Sequence, residues 1–276
     1  MTIAFKSDDH SYVSINDEKI NWISVTTIIN HFKKPFDAKK IAEKVSKTKK
    51  SKWFGINPLE IQNIWNCESA RATALGTYYH NQRETDICSF ASMEKNGVTI
   101  PVIQPLALKD GLKIAPIQKL EPGIYPEHMV YLKSAGICGQ SDLVEVVNNT
   151  VNIIDYKTNK EIKKESYINW DGISEKLSNP VNNLDDCNFN HYALQLSVYM
   201  YIILKHNPKL KVGKMLIHHV IFDEDEKDLN GYPVTKYNEN GDPIVKEVIV
   251  IPVPYLQDEV ISIMHYLKDN PIKKIK

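Results

Sequence analysis

Two aspartates and a lysine carry the strongest chemical signal in the chain. Between Gly139 and Lys157 two β-branched runs meet at Asn148-Asn149. Asparagine tolerates positive φ, so a two-residue hairpin turn is expected there. That turn pairs Val147 with Thr150 and sets Asp142 directly opposite Asp155, with Cβ atoms about 4.5–5.5 Å apart. Strand alternation puts Gln140, Asp142, Val144, Val151, Ile153, Asp155 and Lys157 on one face. Two carboxylates so placed repel each other unless a cation lies between them. Hard divalent ions such as Mg²⁺ prefer carboxylate oxygens and tolerate few protein ligands. Lys157 adds a positive charge with proton donors. Two acids, a lysine and a bound cation make a phosphate-handling site.

Other residues could complete that site. Arg71 to His80 reads as a helix with a small-residue stripe at Ala70, Ala72, Ala74 and Gly76. His80 lies one turn after Gly76 and faces whatever Gly76 packs on. It is either a core or capping histidine or a nitrogen ligand to the same ion. Glu127, near the start of a short strand ending at Leu132, is a surface glutamate or a third carboxylate. Gln195 and Tyr199 share a helix face at i, i+4. They form a half-buried polar pair, or Gln195 orients Lys157 while Tyr199 contacts a phosphate or stacks on a base. Arg71, one of only two arginines, is a candidate substrate contact. His218 and His219 lie on a strand and point to opposite faces, so they are poor joint ligands. No phosphate-cradling G-x-x-x-x-G-K-[ST] loop, G-x-G-x-x-G or G-x-S-x-G is present, so ATP, dinucleotide and serine-hydrolase chemistry are unsupported.

The elements that must position these residues follow from pattern. Strands are expected at Ile3–Lys6 and Tyr12–Ile15 around a turn at Ser7-Asp8-Asp9. Ser24 should cap a helix from Val25 to about Phe32, which Pro35 stops. Residues 37–85 read as mostly helical and include the lysine-rich stretch Lys44 to Lys52. That stretch is either a solvated helix end or a phosphate-contacting surface. Residues 97–126 read as loops with short strands, 125–157 as strands, and 159–190 as a long polar connection or lid. An amphipathic helix at 191–206, strands near Lys214–Asp223 and Val245–Val253, and a helix at 255–268 complete the pattern.

The 276 residues are 42% hydrophobic and 25% charged, which excludes a disordered chain, a collagen-like fibre or a coiled-coil rod. Thirty-four basic and 34 acidic residues cancel, so nucleic-acid binding would rest on a local patch rather than on global charge. Four separated cysteines, no apolar run of membrane-spanning length and no secretory leader point to a cytoplasmic protein without a membrane partner.

Read in order, Gly76-x-x-x-His80, Glu127, Gly139-x-x-Asp142, Asp155-x-Lys157 and Gln195-x-x-x-Tyr199 resemble the PD-(D/E)XK nuclease superfamily. The set is most similar to its RecB-like exonuclease branch, which includes the mitochondrial genome-maintenance exonuclease and many phage nucleases. The resemblance covers residues 76–199. It implies an α/β fold: a mixed central β-sheet flanked by helices, with an N-terminal hairpin and helical cap (residues 1–75) on a nuclease core (residues 76–276). It further implies that His80, Asp142, Asp155 and the Tyr156 carbonyl bind Mg²⁺ or Mn²⁺, with Glu127 helping through water. Lys157 would position or activate the attacking water, and Gln195 and Tyr199 would support the lysine and the substrate. Asp155 stands where the family often has Glu. Branches with an iron–sulfur cluster use three cysteines after the Q-x-x-x-Y helix. This chain has none after Cys187, so no cluster is expected. The activity implied is exonucleolytic hydrolysis of DNA, with single strands threaded past the site. By family company the partners would be DNA ends and phage replication or recombination proteins, in the host cytoplasm if phage-encoded. A non-catalytic DNA-binding or assembly protein on this fold and a sequence-specific endonuclease are the alternatives.

Overall fold

The computed structural model describes residues 3–6, 11–15, 20–107, 112–168 and 172–272. Strands β1 (Ile3–Lys6) and β2 (Ser11–Ser14) form the N-terminal hairpin, whose expected turn at Ser7-Asp8-Asp9 lies outside the described residues. β3 (Ile23–Ser24) leads directly into α1 (Val25–Phe32). Ser24 caps α1 as expected, its hydroxyl accepting from the Thr27 amide. The expected helical stretch divides into α2 (Ala38–Lys47), capped by Asp37, and α3 (Pro58–Cys88), capped by Asn57 with Pro58 at its first position. α3 runs unbroken across residues 75/76, where the boundary between cap and core was expected. Short strands β4 (Ser92–Lys95), β5 (Val98–Pro101), β6 (Leu106–Ala107) and β7 (Leu112–Ile114) fill the loop-rich region.

The long strands β8 (Gly123–Leu132), β9 (Ile137–Val147) and β10 (Thr150–Lys157) then form an antiparallel meander. Helix α4 (Asn188–His206) carries the chain over to β11 (Lys211–Phe222), which lies parallel to β10. Parallel neighbours need such a crossover. After the hairpin of β12 (Glu224–Lys227) and β13 (Pro233–Thr235), strand β14 (Val245–Pro252) joins the edge of the sheet, and α5 (Gln257–Asp269) follows. The central sheet has the order β14-β11-β10-β9-β3, with β8 on β9. Because parallel and antiparallel pairs mix, this is an α/β fold with a mixed sheet flanked by helices.

The β9–β10 ribbon is buried on both faces. Val144, Val151 and Ile153 face the main core with α1, α4 and α5, and Leu143, Ile154 and Tyr156 face a second cluster with Tyr79 and Ile87 of α3. α4 is less amphipathic than its sequence implies. Most of its surface is covered, and Ser197 is accommodated because its hydroxyl accepts the Leu256 amide. Among the described residues no helix is long and apolar enough to cross a membrane.

Candidate metal centre

Asn148 and Asn149 have φ of 50° and 59°, the left-handed pair that a two-residue primed turn requires. The resulting register pairs Thr150 with Val147 and continues to Ile154 with Leu143. One step further, where Asp142 and Asp155 would face each other, the regular ladder stops. The Asp142 carboxylate takes over its role, accepting the Tyr156 amide at 2.6 Å through Oδ2. Both aspartates are buried, Asp155 to 1% exposure.

Glu127 reaches the same place from β8. It falls between the pairs Pro126–Leu143 and His128–Ser141, opposite Asp142. Its φ of 47° is unusual for a non-glycine residue inside a strand. Such a conformation costs about 1–2 kcal/mol and persists only where the surroundings enforce it.

The third contributor is on α3. Gly76 lets this helix approach the end of β10: a Cβ there would sit 3.2 Å from the Thr158 hydroxyl. One turn on, His80 Nε2 lies 3.1 Å from the Tyr156 carbonyl oxygen. A carbonyl only accepts, so Nε2 carries the proton and Nδ1 faces the acids. Nδ1 lies 3.4 Å from Asp142 Oδ1 and 4.0 Å from Glu127 Oε1. One ligand atom from each of His80, Glu127 and Asp142 falls within 4.8 Å of the others. An imidazole nitrogen and two carboxylate oxygens so arranged fit a divalent cation.

The electrostatics show how much this cluster needs positive charge. Burial pushes Glu127 up to about 8, with Asp142 adding to the rise and His80 opposing it. Burial disfavours His80 protonation, but the hydrogen bond and charge of Asp142 outweigh it and raise His80 to about 9. Burial alone would raise Asp142; His80, Lys157 and the Tyr156 amide reverse that and hold it below the usual carboxylate range. Burial raises Asp155 to about 6 against the pull of Lys157. Lys157 itself is held above its ordinary value by Asp155 and Asp142, which overcome its desolvation. It is therefore an ammonium donor.

Asp155 is not among the three converging donors. Its Oδ2 lies 2.6 Å from Lys157 Nζ. Glu127, expected to help through water, lies in the same group of candidate donors as His80 and Asp142. The Tyr156 carbonyl holds His80. Gln195 donates to the Tyr199 hydroxyl at 3.0 Å. Tyr199 is only 2% exposed and packs so tightly on β9 that a Cβ at Gly139 would lie 2.5 Å from its ring, so it offers no open face to a base. Arg71 is also elsewhere. Its guanidinium forks onto Glu68 at 2.7 and 2.8 Å and donates to Thr235 at 3.0 Å, nine residues before His80 on α3. His218 and His219 separate as expected: the ring of His218 lies 5.9 Å from that of Tyr156, and His219 bonds the Asn159 carbonyl.

One residue at the site escaped the sequence reading. Tyr192 lies beneath Lys157, whose Nζ is 4.9 Å from the ring centroid. Its position three residues before Gln195 on the same helix was the available signal. The C-terminal part of the 159–190 connection is tied to the core. Leu177 and Val181 are in the core, and Ser178 donates its amide to the Phe32 carbonyl at 2.9 Å. Compared with known proteins, the chain matches no family model and no curated protein.

Proposed function

We propose that this chain is a Mg²⁺- or Mn²⁺-dependent deoxyribonuclease that hydrolyses phosphodiester bonds at DNA ends, with a single strand led past the site. The observation that carries the reading is the convergence of His80, Glu127 and Asp142 at the end of a ribbon that also presents Asp155 and Lys157. The PD-(D/E)XK-like motif order supports it.

In this reading His80, Glu127 and Asp142 hold the ion, which supplies Lewis-acid polarisation of the phosphate and a nucleophilic water. The protein does the rest. The Tyr156 carbonyl keeps the Nε2 proton on His80 and leaves Nδ1 for ligation. The Tyr156 amide orients Asp142. Lys157 remains protonated, so it stabilises the developing phosphate charge and orients water by donating hydrogen bonds; it is not a base. Asp155 and the Tyr192 ring fix where that ammonium points.

The test is digestion of end-labelled linear single- and double-stranded DNA beside covalently closed circles, with Mg²⁺, Mn²⁺ or chelator. Metal-dependent shortening of linear DNA, intact circles, and inactive Asp142→Ala and Lys157→Ala variants are expected. Wild type and variants equally inert on every substrate would leave a non-catalytic DNA-binding protein. Cutting of circles at fixed positions would make it an endonuclease.

A further inference from the structure

The chain is neutral overall, yet residues 33–52 hold nine lysines against two acids. This +7 segment must be balanced by an equal acidic excess elsewhere, so the charge is segregated. The fold displays it. α2 turns Ile41, Ala42 and Val45 inward and leaves Lys39, Lys40, Lys44 and Lys47 exposed, followed by exposed Lys49 and Lys50. None of these six takes part in an ion pair among the described residues. Of the two acids, Asp37 is committed to capping α2, where it accepts the Lys40 amide.

Aromatic rings flank this surface. Phe36, just before α2, is 68% exposed, and Phe54, just after it, is 51% exposed. Phe36 is held against Trp65 of α3 at 5.9 Å, and Trp65 against Trp53 at 6.1 Å. Lys52 Nζ sits between the rings of Trp53 and Tyr232, at 4.4 and 4.5 Å. The face is therefore mounted on a fixed aromatic cluster. Unpaired lysines beside exposed rings suit a single-stranded nucleic acid, whose phosphates meet the ammonium groups while unpaired bases stack. An amphipathic membrane helix would need its apolar face free. That of α2 is used up on α3 through Ala42 and Ile61.

We propose that the lysine face of α2 and the turn after it, with Phe36 and Phe54, anchors the backbone of a single DNA strand remote from the metal centre. The inference rests on the nuclease reading for its purpose but not for its test. Ile61, where α2 packs on α3, and His80 are nineteen residues apart on one helix, about 28 Å. At the ~3.4 Å per nucleotide of a stacked strand that is about eight nucleotides. Short substrates should therefore bypass the anchor.

The experiment uses the full chain in chelator, where hydrolysis plays no part. Binding of fluorescent (dT)20 and (dT)4 is followed by anisotropy at several salt concentrations. Wild type should bind (dT)20 far more tightly than (dT)4. Replacing Lys40, Lys44, Lys47 and Lys50 together by Gln should weaken (dT)20 at least tenfold. It should also flatten the log–log salt slope by about 0.7 for each lysine that contacts a phosphate. Phe36→Ala with Phe54→Ala should weaken binding without changing that slope. Unchanged melting temperatures would show that these exposed substitutions leave the fold intact. The proposal is overturned if wild type does not bind (dT)20, if the lysine variant binds within twofold of wild type, or if wild type prefers phosphatidylserine vesicles. Lysine-dependent binding by a protein that hydrolyses no substrate with metal would instead remove the nuclease reading and leave the anchor standing.

Discussion

The two ends of the β9–β10 ribbon solve the same problem in different ways. At the closed end, Asn148 and Asn149 take left-handed conformations and backbone groups satisfy one another through a regular ladder. At the open end the ladder stops at Leu143–Ile154, and side chains satisfy what remains. Asp142 accepts the Tyr156 amide and His80 donates to the Tyr156 carbonyl. Where backbone bonds are complete, side chains only need to pack. Where the ladder ends, polar side chains must be present anyway, and these are the ones equipped for chemistry. The lesson is that the candidate centre sits where β9 and β10 part, while β8 and β11 still pair on either side.

Asp142 and Glu145, three residues apart on one strand and facing opposite layers, should respond differently to loss of charge. Glu145 is buried too, with Lys95 Nζ at 2.6 Å, but belongs to no ligand group. Asp142→Asn keeps an acceptor for the Tyr156 amide while removing a charged ligand. Metal-dependent hydrolysis should fall on the order of 10³-fold, with melting little changed. Glu145→Gln should leave hydrolysis within about twofold and cost about 1–2 kcal/mol in denaturant titration, since its partner is partly exposed. Equal losses of hydrolysis in the two variants would mean that burial rather than ligation explains both.

Metal affinity sharpens the same contrast. His80→Gln should weaken Mn²⁺ binding by roughly 100-fold in calorimetry, taking the loss of a ligand to be at least as damaging as loss of a ligand's supporting partner. Without an ion, Asp142 raises His80 to about 9 and burial raises Glu127 to about 8, so at neutral pH protons occupy these candidate ligands. Binding must release them, and apparent affinity should rise with pH between about 7 and 9. Calorimetry in buffers of different ionisation enthalpy would count the protons. The His80→Gln protein should show a shallower rise; an unchanged slope would remove His80 from the ligand set.

The closed end of the ribbon is set by local sequence, and the open end by contacts distant in the chain. The Asn-Asn turn and β-branched alternation specify the closed end so tightly that the register follows by counting, and the Ser24 cap is equally local. The grouping of His80 with Asp142 followed from spacing only as an option, since nothing local says that α3 will meet the end of β10. The position of Glu127 inside the ligand group depends on a left-handed backbone conformation that no residue type announces. Asp155 was harder still. Its place at the end of β10 was readable, but the ladder stops at Leu143–Ile154 before it can pair with Asp142, and whether its carboxylate joins an ion or takes Lys157 depends on where the strands part. Tyr199 illustrates tertiary override: a polar residue at helical spacing with Gln195 is buried because Gly139 leaves room for its ring.

A smaller effect should appear at His128, the neighbour of Glu127. Burial lowers its pKa to about 4, against about 6.5 in the unfolded chain. As pH falls the unfolded state takes up this proton first. The stability that depends on neutral His128 is thus complete above pH 6.5 and lost progressively as pH falls through 4. The full difference is about 3 kcal/mol. Asp155, raised to about 6, works in the opposite direction over an overlapping range, so the single profile will understate the slope. Subtracting the profile of His128→Leu from that of wild type, both in chelator, isolates it. A flat difference between pH 4 and 6.5 would show that His128 is not desolvated.

The smallest effects belong to the closed end, and they test whether the two ends are independent. Asn148→Ala places a Cβ-bearing residue without a helpful amide in a left-handed turn and should cost about 1 kcal/mol. Asn149→Gly removes a steric penalty but adds unfolded-state entropy, leaving a net change within about 0.5 kcal/mol. Neither alters a group that touches the candidate metal centre, and five ladder pairs separate the turn from Asp142. Both variants should therefore hydrolyse DNA at the wild-type rate at any temperature where they are folded. A loss of rate in fully folded Asn148→Ala would mean that turn strain is transmitted along the ribbon to the Asp142–Tyr156 bond, and the open end could no longer be treated as set by its own side chains.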